Sequence, residues 1–86
     1  MPAPHFVYVL RSLKDAEFYI GMTSEIEQRL QRHNAGKVLS TRHRRPFVFL
    51  YAETFSSRIE ASKREKFLKS GPGHRELNEI LATLPF

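Results

Sequence analysis

The chain predicts an α+β domain: a small antiparallel three-stranded sheet covered by helices, in the order β-β-α-β-α-α. Three observations carry this reading. Two short apolar runs, residues 6–10 and 18–20, flank the polar stretch 12–17, a distance suited to a hairpin. Ser24 with Glu27, and Ser57 with Glu60, repeat the spacing in which a serine caps a helix start and a glutamate three residues on closes the box. Leu77, Ile80, Leu81 and Leu84 recur with the helical period and mark an amphipathic helix.

In chain order, residues 6–10 form the first strand and residues 18–20 the second, which Gly21 ends. The first helix spans about 24–35 and stops at Gly36. A basic loop, 37–46, closes at Pro46, and residues 47–54 form a third strand buried on both faces. The second helix follows from Ser57, Gly71-Pro72-Gly73 breaks it, and the last helix ends at Pro85.

Eighty-six residues suit one domain, taken as the unit 1–86. There is no repeat or low-complexity tract. The absence of cysteine removes a disulfide framework, a cysteine-based zinc site and a thiol nucleophile together. No apolar run reaches the ~18–20 residues of a membrane span and no basic-then-apolar leader opens the chain, so the cytosol is the expected compartment and no membrane partner is expected.

Charge is unevenly placed. Residues 1–36 balance Arg11, Lys14, Arg29 and Arg32 against Asp15, Glu17, Glu25 and Glu27, so the net +5 belongs entirely to residues 37–86. Within that half, 37–45 carries four cations and no acid. Clustered positive charge favours a polyanion such as nucleic acid, although a solvated surface explains it equally well.

Two placements strain a purely structural account. On a helix turning about 100° per residue, Ile26, Leu30 and His33 share one face, with Arg29 at its edge. Arg29 and His33 are then surface neighbours one turn apart. Without a ligand, Arg29 snorkels to water and His33 is a satisfied core imidazole. On the second helix, Glu65 interrupts the apolar line of Ala61 and Leu68. Its ordinary partner is Lys69 at i+4; its functional partner would be a divalent cation such as Mg²⁺, which often takes one protein carboxylate and fills its remaining positions with water and phosphate oxygens. Tyr8 and Tyr19 share a sheet face if the hairpin loop has an even number of residues, and separate if it is odd.

These residues resemble, in order and spacing, the GIY-YIG endonuclease domain, particularly its small stand-alone bacterial members and the N-terminal nuclease module of the bacterial excinuclease. Tyr19-Ile20-Gly21 is the second signature. Val7-Tyr8-Val9 is a loosened first signature that keeps the tyrosine but not the glycine. Arg29 and His33 match the helix pattern, and the segment from Glu65 to Lys69 looks like the metal-glutamate segment. The resemblance covers residues 6 to about 70. It departs at Met22, where some relatives carry lysine, and at Asn78, which no supporting motif ties to the family's late asparagine.

The resemblance implies hydrolysis of DNA phosphodiester bonds with Mg²⁺ or Mn²⁺. Its catalytic residues would be Tyr8, Tyr19, Arg29, His33 and Glu65. Glu65 would hold the metal, Arg29 would grip the phosphate, one tyrosine would take the proton from the attacking water, and His33 would support that tyrosine. Lys37, Ser40, Thr41, Arg42, Arg44 and Arg45, with Lys63, Lys66 and Lys69 on the second helix, are then candidate contacts to the DNA backbone. The expected assembly is a monomer or weak homodimer, acting in repair or recombination. Three alternatives compete: a basic nucleic-acid-binding module with a vestigial nuclease cleft, an HNH-like nuclease using His33, Asn34 and His43, and a structural or ribosome-associated protein.

Overall fold

The computed structural model describes residues 4–84. Its sheet has the order β2-β1-β3, built from β1 (His5–Ser12), β2 (Phe18–Thr23) and β3 (Phe47–Phe55), antiparallel throughout. The helices are α1 (Ile26–Asn34), α2 (Arg58–Leu68) and α3 (Gly71–Ala82), with a single 3₁₀ turn at Arg42–Arg44. Architecture and element order are those the sequence predicts.

β1 is central, paired to both other strands, and its buried side chains alternate between two cores. Val7 and Val9 join Ile20 on one face, under Ala61 and Leu68 of α2 and Leu77 and Leu81 of α3. Tyr8 and Leu10 point to the other face and pack with Phe47, Tyr19 and Leu30 of α1. Strand side chains alternate sides, so α1 covers one face of the sheet while α2 and α3 cover the other.

Several boundaries differ from the sequence reading. Gly21 does not end β2. It pairs with Tyr8, and the strand runs on to Thr23. Ser24 does not cap α1: Thr23 Oγ1 accepts from the Glu25 amide at 3.1 Å, and Glu25 occupies the cap position without a side-chain bond. Ser57 does cap α2, accepting from the Glu60 amide at 3.2 Å. Gly71-Pro72-Gly73 opens α3 rather than merely breaking α2: Ser70 Oγ accepts from the Gly73 amide, and proline fills the first turn, where it lacks no bond. α3 ends at Ala82, so Leu84 packs on the core from beyond the helix, and Pro85 lies outside the described residues.

β3 is the largest correction. It lies at a sheet edge and is not buried on both faces: Val48 and Phe49 are 37% and 42% exposed. A bulge opposite Val9 and Leu10 leaves Leu50 as an extra residue. An ionic clamp fastens the far end. Arg64 of α2 forks onto Glu53 at 2.7 and 2.9 Å and reaches Glu76 of α3 at 2.9 Å, while Tyr51 donates to Glu53 at 2.6 Å. The clamp ties β3 to both helices on that face.

Candidate active site

The hairpin register brings the tyrosines together. Arg11 pairs with Phe18 across six intervening residues, an even number, so Leu10 faces Tyr19 and Tyr8 faces Gly21 on the same side. The rings lie 6.1 Å apart between centroids. Tyr8 lies flat over Gly21, where any Cβ would stand 2.5 Å from its hydroxyl oxygen. The glycine of Tyr19-Ile20-Gly21 is therefore needed for the tyrosine opposite it.

α1 supplies the other two groups from the positions its periodicity predicts. Arg29 Nε donates to the Tyr8 hydroxyl at 3.3 Å. His33 is fully buried, its Nε2 lies 2.9 Å from the same hydroxyl, and its ring meets Tyr19 edge-on at 4.8 Å. The other ring nitrogen, Nδ1, lies 2.8 Å from Thr41 Oγ1. Asn34 holds this helix end to β3 by bracketing Phe47, donating to its carbonyl at 3.0 Å and accepting from its amide at 2.7 Å.

Burial controls the protonation of this group. It pushes the Tyr8 phenol up to about 12 against the pull of the Arg29 hydrogen bond, with the Tyr19 phenol beside it adding to the rise. It pushes His33 down to about 4, and the nearby Arg29 charge pushes in the same direction. At neutral pH Tyr8 is a phenol and His33 a neutral imidazole. Arg29 is held charged, chiefly by its bond to Tyr8.

Glu65 stands apart from this group. It belongs to α2, on the opposite face, and its contact is Lys69 at 3.5 Å, the i+4 pair that spacing favours. The two faces meet at the free edge of β2. There a cleft of about 260 Å³ is lined by Tyr19 and Phe18 from the strand, Leu68 and Lys69 from the end of α2, and His74 from α3. Glu65 sits one helical turn from this lining. Met22 faces Val7 and packs into the α2–α3 core, away from the tyrosine face. Asn78 is exposed on α3.

The basic segment is less uniform than its sequence implies. Lys37, Ser40, Arg42 and Arg45 are exposed, as are Lys63, Lys66 and Lys69. Thr41 is not a free surface hydroxyl: it is buried and bonded to His33. Arg44 is committed to Asp15 at 2.7 Å and lies over the Phe47 ring. Lys14 and Ser12 bind the carbonyls of His43 and Arg44, fixing the 3₁₀ turn to the hairpin. With both His33 nitrogens engaged and Asn34 occupied by Phe47, an HNH-like arrangement has no support.

A phenol pair on a β-hairpin, met by an Arg and His one turn apart on the following helix, defines the class of site: the GIY-YIG type. A family model described as the GIY-YIG catalytic domain matches residues 4–78, and the chain belongs to that family. It is 42% identical over 79 residues to a UPF0213 protein of Staphylococcus haemolyticus, covering 91% of this chain and 95% of that one. A UPF0213 protein of Natronomonas pharaonis is 41% identical over 71 residues, covering 81% and 82% of the two chains. The solution NMR structure of a UPF0213 protein from Bacillus halodurans superposes with a TM-score of 0.54 at 32% identity, covering 90% of this chain and 84% of that one.

Proposed function

We propose that this protein is a metal-dependent endonuclease that hydrolyses DNA phosphodiester bonds, with repair or recombination as its setting. The observation that carries the reading is the convergence of Tyr8, Tyr19, Arg29 and His33 at one end of α1, on a chain of the GIY-YIG family.

Among the described residues no cluster of three or more histidine or acidic side chains could hold a metal. A metal held by several protein ligands therefore does not fit. One half-buried carboxylate, resting against a lysine at a loose 3.5 Å, does fit a hydrated Mg²⁺ or Mn²⁺ that takes its other ligands from water and phosphate. When bound, such an ion supplies Lewis-acid neutralisation of phosphate charge.

The chain's own groups divide the remaining work. Arg29 Nε is engaged by Tyr8, so its terminal amino groups are the ones presented to a phosphate, where their attraction grows as charge builds on the oxygens. Tyr8 is sealed from solvent and stays protonated, so it acts as the strut that aims Arg29 and leaves the water's proton to another group. Tyr19, at the cleft wall, is the phenol a water can reach, and orienting or deprotonating that water falls to it. Lys37, Arg42 and Arg45 would hold the DNA backbone beside the cleft, joined by Lys63, Lys66 and Lys69 along α2.

The test is incubation of labelled duplex, branched and single-stranded DNA with Mg²⁺ or with chelator, using wild type, Arg29→Ala and Glu65→Gln. Metal-dependent cutting that falls at least 100-fold in both variants supports the reading. Equal cutting by all three rejects the site. Salt-sensitive binding with no cutting on any substrate, unchanged in Glu65→Gln, would instead establish a binding module with a vestigial cleft.

A further inference from the structure

Thr41 lies in an irregular segment, yet its hydroxyl is buried and in contact with the candidate site. The geometry points to Thr41 as a positioning residue that fixes His33 in its Nδ1–H tautomer and so aims the Tyr8 hydroxyl proton.

Protons can be counted along one chain of contacts. A guanidinium only donates, so Arg29 Nε–H gives its proton to the Tyr8 oxygen at 3.3 Å. At the far end, Thr41 Oγ1 lies 3.4 Å from the Val38 carbonyl, which only accepts. Between these ends stand one phenol, one neutral imidazole and one hydroxyl, each with a single polar proton. Only one assignment uses every proton along the chain: Arg29 to Tyr8, Tyr8 to His33 Nε2, His33 Nδ1–H to Thr41 Oγ1, and Thr41 to Val38. Reversing His33 makes Tyr8 accept from both Arg29 and His33, and leaves its own proton only the neighbouring Tyr19 phenol, with which Tyr8 makes no hydrogen bond within 3.5 Å. A polar proton left unpaired in a buried site costs on the order of 1–3 kcal/mol. Tyr8 is 1% exposed, so water does not relieve that cost.

The consequence for chemistry rests on the nuclease reading. With Nδ1 protonated, the Nε2 lone pair holds the Tyr8 proton away from Arg29, leaving the phenol oxygen as a pure acceptor for the guanidinium. Thr41 thereby acts on Arg29 through two intervening residues without meeting substrate.

The experiment is a long-range ¹H–¹⁵N correlation spectrum of the imidazoles in uniformly labelled full-length protein at pH 7.5, with His33 assigned by its disappearance in His33→Gln. Wild type is expected to show a protonated Nδ1 and an unprotonated Nε2 at His33, and Thr41→Ser to keep that pattern. Thr41→Val keeps the shape but cannot accept, so it is expected to show mixed or reversed tautomers and a single-turnover cleavage rate about 10-fold lower, restored by serine. A protonated Nε2 in wild type overturns the proposal without any variant having to fold. So does an unchanged spectrum in Thr41→Val. The expected spectrum in a protein that cuts no DNA would uphold the imidazole assignment and overturn the nuclease reading instead.

Discussion

Gly21 shows how a residue without a side chain can shape a site. It is the floor on which Tyr8 rests, and a methyl group there would collide with the phenol. Gly21→Ala is expected to destabilise the protein by about 1–3 kcal/mol, the usual cost of overpacking. It should also impair cleavage beyond that, because the displaced ring releases Arg29; chemical denaturation and a cleavage assay read the two effects separately. His33 gives a pH signature. Its folded value lies near 4, below the ordinary 6.5, so the unfolded chain binds more protons between these limits. Stability is full above about pH 6.5 and falls as the pH drops towards 4, by roughly 2–3 kcal/mol if the group titrates alone. Asp15 and Glu53 are held below their usual range by Arg44 and Arg64, and their losses come lower still. The difference between wild type and His33→Gln in urea midpoints across pH 4–7 isolates the imidazole. A difference that does not change with pH would show that His33 is not held neutral by the fold.

At the scale of elements, the legible features are those with a period or a local cap. Helical spacing places Arg29 beside His33, and Ser57 caps α2 as its spacing predicts. Ser57→Ala should cost about 1 kcal/mol of stability, read as a fall in denaturation midpoint. Asn34 is legible only as a neighbour of His33. Its two bonds to Phe47 join α1 to β3, so Asn34→Ala should cost about 1–2 kcal/mol. Thr41 gives no signal, because an irregular segment carries no period to say which side chain turns inward. β3 misleads because an apolar run reads alike at the centre and at the edge of a sheet; only pairing decides, and β1 holds the centre. The tyrosines are conditional on loop parity, which the six residues between Arg11 and Phe18 resolve. The position of α2 is not legible at all. The connection after β3 decides which face that helix covers, and it places Glu65 across the sheet from Arg29.

For the whole molecule, the net charge of +5 reduces to a smaller set of free cations once the committed ones are removed. Arg44 is engaged by Asp15, and Arg64 by Glu53 and Glu76. Of the candidate DNA contacts, Lys69 is paired with Glu65, and exposed Lys37, Arg42, Arg45, Lys63 and Lys66 remain outside any ion pair among the described residues. If all five meet phosphates, the slope of log K against log salt for duplex DNA should be about −4 to −5. Replacing Arg42 or Arg45 by alanine should flatten it by about 0.9, whereas Arg44→Ala should leave it nearly unchanged. Among the described residues no helix is long and apolar enough to cross a membrane.

The nuclease reading requires that the two faces of one sheet meet around the free edge of β2 to form a single site. Titrating ¹⁵N-labelled protein with Mn²⁺ tests this directly, because a paramagnetic ion broadens amide signals according to distance. Broadening is expected to begin at Glu65, to spread to Tyr19 and Arg29, and to disappear in Glu65→Gln. Broadening confined to α2 and α3, with the signals of Tyr19 and Arg29 untouched, would contradict a shared site.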